Sequence, residues 1–90
     1  MWREGGLREV PDSGHPARLG IPGQSGLHCG DQLEIKVGGT WHRGRVEYSG
    51  QFGWHWTDNE GRVPLLPGVK ARTWDGYEWP REDRRRGVER

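Results

Sequence analysis

The chain reads as an all-β domain: a small barrel of five to seven short antiparallel strands, with an N-terminal hairpin and a charged C-terminal tail. Three observations predict it. Sixteen Gly and six Pro punctuate 90 residues, and no window of ten or more residues carries a 3.6-residue apolar period. Between Leu33 and Val37 apolar and polar residues alternate, and Gly38-Gly39 follows as a pair suited to a tight hairpin. Turn residues then recur about every ten residues, the spacing of short strands in a barrel or sandwich, and closure of a barrel would hide its edges.

Leu7 to Val10 is a short segment bracketed by apolar residues, and Pro11-Asp12-Ser13-Gly14 is a turn signal. Ala17, Leu19 and Ile21 alternate with Arg18 and Gly20, which completes an N-terminal hairpin over 7–21. Pro22 to Gly26 is a loop. The central meander covers 31–57. In it Leu33, Ile35 and Val37 share one face, and Glu34 and Lys36 share the other. On the next strand Val46 and Tyr48 share a parity that Trp41 lacks. A bulge near Gly44 would bring Trp41 onto the core face, and this is favoured over an outward Trp41 on a binding face. Phe52, Trp54 and Trp56 alternate with Gly53 and His55, so three rings are expected on one face. Asp58-Asn59-Glu60-Gly61 is a turn, and closing strands follow over 62–79. Residues 1–80 thus read as one domain, and 81–90 as an Arg-rich tail of net charge +2.

Ninety residues bury only about 60–65% of their unfolded surface. With 30% apolar residues and six Trp, the core must lean on large rings that bury roughly 150–250 Å² each. Net charge is +1, yet most of the cations are Arg, which binds phosphate and carboxylate bidentately and stacks on rings. The single Cys29 excludes an internal disulfide and leaves a Cys-based zinc site without ligands. Met1 to Gly6 lacks the apolar run of a signal peptide, and no segment approaches a membrane span. A cytoplasmic protein without membrane contact is therefore expected.

Leu27-His28-Cys29-Gly30-Asp31-Gln32-Leu33-Glu34-Ile35, Gly39-Thr40-Trp41, Gly44-Arg45-Val46-Glu47, Trp54, and Gly68 with Ala71-Arg72 stand in a recognisable order. Over roughly residues 5–74 the chain resembles a family of short bacterial and mobile-element proteins that carry a domain of unknown function. The strand–turn–strand pattern also resembles SH3-like and Tudor-like barrels, where a Trp precedes a Gly-x-Val-type strand. The resemblance implies a fold and lends no activity.

Several constellations merit weighing. Trp41, Tyr48, Trp54 and Trp56 suit an aromatic platform for cations, peptide or bases, although a core short of aliphatics claims Trp54 and Trp56 first. His42 and His55 are expected to face solvent, so no metal site and no cofactor are predicted. Cys29 reads as a half-buried structural thiol, since no base is placed to activate it. Arg43 and Arg45 lie on the face opposite Val46. With Arg62, Lys70, Arg72 and the tail they form a basic stripe, or they pair with Glu34, Glu47 and Glu60.

No catalytic set emerges, and a non-enzymatic binding module is expected. Its site residues would be Trp41, Arg43, Arg45, Tyr48, Trp54 and Trp56. A protein or peptide partner is favoured, because acids are scattered among the cations. Self-association is left open. The alternative is a nucleic-acid accessory protein using Arg43, Arg45 and the tail.

Overall fold

The computed structural model describes residues 1–11, 14 and 17–81. Among these it is all-β, with β1 (Trp2–Gly6), β2 (Arg8–Glu9), β3 (Leu19–Gly20), β4 (Gln32–Val37), β5 (Thr40–Ser49), β6 (Gly53–Thr57), β7 (Arg62–Pro64) and β8 (Lys70–Trp74). Every pairing is antiparallel. Six strands form one sheet in the order β1-β8-β4-β5-β6-β7, and β2 pairs with β3 as the expected N-terminal hairpin.

The sheet does not close into a barrel, because β1 and β7 are its two free edges. The β7 edge is only three residues long and carries Pro64, and a short, proline-bearing edge resists edge-to-edge pairing without closure. Strand β1 is absent from the sequence expectation. Its Arg-Glu-Gly-Gly run shows no alternation, and its conformation comes from pairing with β8, from Trp2↔Trp74 to Gly6↔Lys70.

The Gly38-Gly39 turn forms as expected, with φ of 60° and 82°, the positive values that a type I′ hairpin needs. From there β4 and β5 pair without interruption from Val37↔Thr40 to Gln32↔Arg45. Strands β5 and β6 do the same from Arg45↔Thr57 to Ser49↔Gly53. No bulge exists at Gly44, so Trp41 keeps the parity opposite to Val46 and lies on the outer face. The glycine serves a different purpose. A Cβ there would lie 2.5 Å from Cε2 of Trp56 and closer still to the Thr57 carbonyl. The Trp56 indole crosses the strand at this point and donates from Nε1 to the Leu33 carbonyl at 3.0 Å.

One sheet face meets the hairpin and the loop after it. Leu33, Ile35, Val46, Trp56 and Ala71 from the sheet pack with Leu7, Leu19, Ile21, Leu27 and Leu65 from the covering segments. The Leu27 amide donates to the Leu19 carbonyl, and the Trp54 Nε1 donates to the Ala17 carbonyl, which ties the cover down. Among the described residues, no second layer of strands covers the opposite, outer face.

Several residues fall elsewhere than expected. Val37 is 49% exposed, because it abuts the Gly38-Gly39 turn at the end of the sheet. Phe52 lies in the β5–β6 turn, where the positive φ of Gly53 breaks the alternation. Its ring meets Arg62 and His55 rather than joining Trp54 and Trp56. His55 is buried, with Nδ1 donating to the Gly53 carbonyl at 2.9 Å, instead of facing solvent. Cys29 is exposed rather than half-buried. The last strand ends at Trp74, and Tyr77 is fully exposed. The turn residues Asp12 and Ser13, and the tail beyond Arg81, lie outside the described residues. Among the described residues no helix is long and apolar enough to cross a membrane.

Candidate functional site

The outer face is organised by one lateral row. In register, Glu4 faces Arg72, Arg72 faces Glu34, and Glu34 faces Arg43, so β1, β8, β4 and β5 each place a charged side chain in line. Strand alternation dictates this, since the residues flanking Glu34, Leu33 and Ile35, both point into the core. Glu34 is only 3% exposed. A carboxylate so far from water needs charged hydrogen-bond partners, and it has two. Arg43 Nε donates to Oε2 at 2.8 Å. Arg72 donates to Oε1 from Nε at 2.8 Å and pairs through Nη2 at 2.7 Å. Two guanidiniums share one carboxylate, and no other carboxylate among the described residues forms an ion pair with either. The Arg43–Glu34–Arg72 cluster by itself carries a net charge of +1.

Aromatic rings frame the same row. The Arg72 guanidinium carbon sits 3.8 Å from the Trp2 ring centroid and 4.3 Å from that of Trp41, so the cation stacks against two indoles. Trp2 in turn meets Trp74 and Trp79 edge-on, at 5.3 and 5.5 Å between centroids. Arg43 lies 5.0 Å from the Trp79 ring centroid, and Lys36 Nζ lies 5.7 Å from that of Trp41. Each stack is electrostatically favourable, and Glu34 holds the guanidiniums in the orientation that stacking requires. Across β1, β8, β4 and β5 the face carries Lys36, Arg43, Arg45, Lys70 and Arg72 against Glu4, Glu34 and Glu47, an excess of positive charge. Arg45 pairs with Glu47 at 2.8 Å on the exposed surface.

The six residues expected as a site are not brought together. Trp41, Arg43 and Arg45 lie on the outer face. Tyr48, Trp54 and Trp56 lie on the inner face, where Tyr48 packs against Trp54 at 5.0 Å and Trp56 is core. Trp41 takes Arg72 and Lys36 as its cations, and Arg43 takes Trp79. Sequence reasoning missed Trp2 and Trp79, because neither stands in an alternating run; it offered Glu34 as a pairing partner of the arginines, but on a solvated face rather than nearly buried. The signal that could have marked Glu34 is a lone acid between Leu33 and Ile35 on a strand with cationic neighbours on both sides. His42 and His55 fall on opposite faces. Among the described residues no group of three or more His, Cys, Asp or Glu could hold a metal ion.

No curated protein and no solved structure matches the chain. A family model does, over residues 16–73, which takes in the covering hairpin's second strand and every sheet strand except β1, with β8 up to Thr73. That match spans more than half of the sequence, and the chain accordingly belongs to the family described as domain of unknown function (DUF5348).

Proposed function

We propose that the protein is a non-enzymatic binding module whose working surface is the outer sheet face, and that it engages an acidic segment of a partner protein. The observation that carries this reading is the Trp2–Arg72–Trp41 stack, fixed through buried Glu34 beside Arg43. Flat rings and guanidiniums held in place before binding lose little entropy when a partner docks, and Arg and Trp dominate interface energetics for that reason. The excess of positive charge across the outer face favours a carboxylate-bearing partner. A compact domain with a cytoplasmic role fits this reading.

Nucleic acid is the second reading, and the same observation supports it, since stacked rings beside Arg also suit bases and phosphates. NMR titration of the isotope-labelled chain with a Glu-rich, Trp-containing peptide and with oligo(dT) separates the two. A protein-binding face gives peptide-induced shifts at the Trp2 and Trp41 indoles, and Arg43→Ala weakens that binding by more than about tenfold. Binding of oligo(dT) that falls steeply with added salt would favour nucleic acid instead, because phosphate contacts release counterions. Shifts confined to the inner face or the β7 edge would refute the outer face altogether.

A further inference from the structure

The segment after β8 turns back over the outer face and fills part of it. Gly76 makes the turn possible, because a Cβ there would lie 2.6 Å from Nε1 of Trp74. Asp75 anchors its start through Arg3 Nη2 at 2.8 Å and the Met1 amino group at 3.1 Å. Trp79 then stacks on Arg43 and meets Trp2 edge-on. Between these two contacts Tyr77 is fully exposed. Clefts of about 350 and 450 Å³ open beside Trp74, the first also lined by Trp79 and the second by Asp75 and Tyr77. The segment is therefore pinned at its two ends and packs loosely between them. Its composition matches the face it covers: Asp75-Gly76-Tyr77-Glu78-Trp79 offers acids and rings to a surface of Arg, Lys and Trp.

Resting on the outer face as the binding surface, we infer that residues 75–80 are a built-in occupant of the partner's place. The partner contributes an extended segment of the same chemistry, an aromatic ring with carboxylates close to it in sequence, and that ring displaces Trp79 from Arg43. The resident segment is covalently tethered, so its effective concentration at Arg43 is of millimolar order, and a free competitor of similar intrinsic affinity is largely excluded. Binding is reduced by the fraction of molecules in which the face is open. Removing the resident ring removes that penalty.

The test uses full-length protein and a capped hexapeptide with the sequence of residues 75–80 as probe. Trp79→Ala should bind this peptide about tenfold more tightly than the wild type, with shifts at the Trp2 and Trp41 indoles. Adding Arg43→Ala to that variant should abolish the gain. Gly76→Val lifts the segment off Trp74 while keeping the Trp79 ring, and should give a gain in the same direction. The unperturbed indole signal of buried Trp56 reports that the fold is intact, and Gly76→Val decides the matter if Trp79→Ala does not fold. Equal affinity of wild type and folded variants at the outer face would overturn the built-in occupant while leaving that face as the binding surface. Failure of the hexapeptide to bind any folded variant would overturn the inference as well. The Glu-rich peptide titration tests the face separately.

Discussion

At Glu34 a carboxylate is held almost out of water by Arg43 and Arg72, and the three charges stand or fall together. Replacing a buried ion cluster by apolar groups can be neutral, but removing one member strands the others. Glu34→Gln should therefore cost about 3–5 kcal/mol, measured as a lowered urea midpoint. It should also free the Arg72 guanidinium from its fixed place between Trp2 and Trp41, visible as altered indole signals. A cost within experimental error would mean that water reaches the cluster and that stacking alone orients the two arginines. Gly44 makes a second residue-scale case. A side chain there must push the Trp56 indole off the strand, so Gly44→Val should destabilise by about 1–3 kcal/mol through overpacking. The fluorescence change should come from Trp56, which leaves its Leu33 hydrogen bond, and Trp56→Phe should remove it. If Trp41→Phe removed it instead, the damage would lie on the outer face.

Among the elements, those written in local pattern were legible and those made by distant pairing were not. The Leu33–Val37 alternation and the Gly38-Gly39 turn identified β4, its hairpin and the inward set Leu33, Ile35 and Val46. The N-terminal hairpin was legible for the same reason. Strand β1 has no pattern of its own, and the Trp2, Arg72 and Trp41 stack exists only because β1, β8 and β5 reach one face from far apart in sequence. The expected bulge came from favouring the core for Trp41, when an indole stacked on a cation is also satisfied at half burial. Segment 75–81 shows the same limit, since its docking depends on partners at the other end of the chain. The hydrogen bond from the Met1 amino group, above all, holds the Asp75 carboxyl below its ordinary value of 3.8; desolvation opposes it, and Arg3 adds to the lowering. A depressed folded value means that the clasp stabilises fully above the ordinary carboxylate range and is lost as pH falls through the lowered value. The stability gap between wild type and Asp75→Asn should accordingly be present at neutral pH and vanish in strong acid. A gap that persists unchanged in strong acid would show that the clasp does not depend on the carboxylate charge.

For the molecule as a whole, the two sheet faces divide the labour. The inner face carries the aliphatic core and joins the sheet to its covering hairpin, whereas the outer face carries charges and rings that are paired with each other. A domain of this size has a total stability of only about 4–13 kcal/mol. Leu7, which is 2% exposed between β1 and β2, also exchanges backbone hydrogen bonds with Val69 and Gly68, so its side chain sits where the hairpin, β1 and the approach to β8 meet. Leu7→Ala should cost about 2–5 kcal/mol, a large share of the total, and should lower hydrogen-exchange protection in the hairpin and the sheet together. Trp41→Ala removes one ring from the Arg72 stack and leaves the core untouched. It should cost only about 1–2 kcal/mol, keep sheet protection, and abolish binding of the acidic, Trp-containing peptide at the outer face. If Trp41→Ala unfolded the domain as thoroughly as Leu7→Ala, the outer stack would be a second core, and the partner surface would have to be sought at the exposed edges of the sheet.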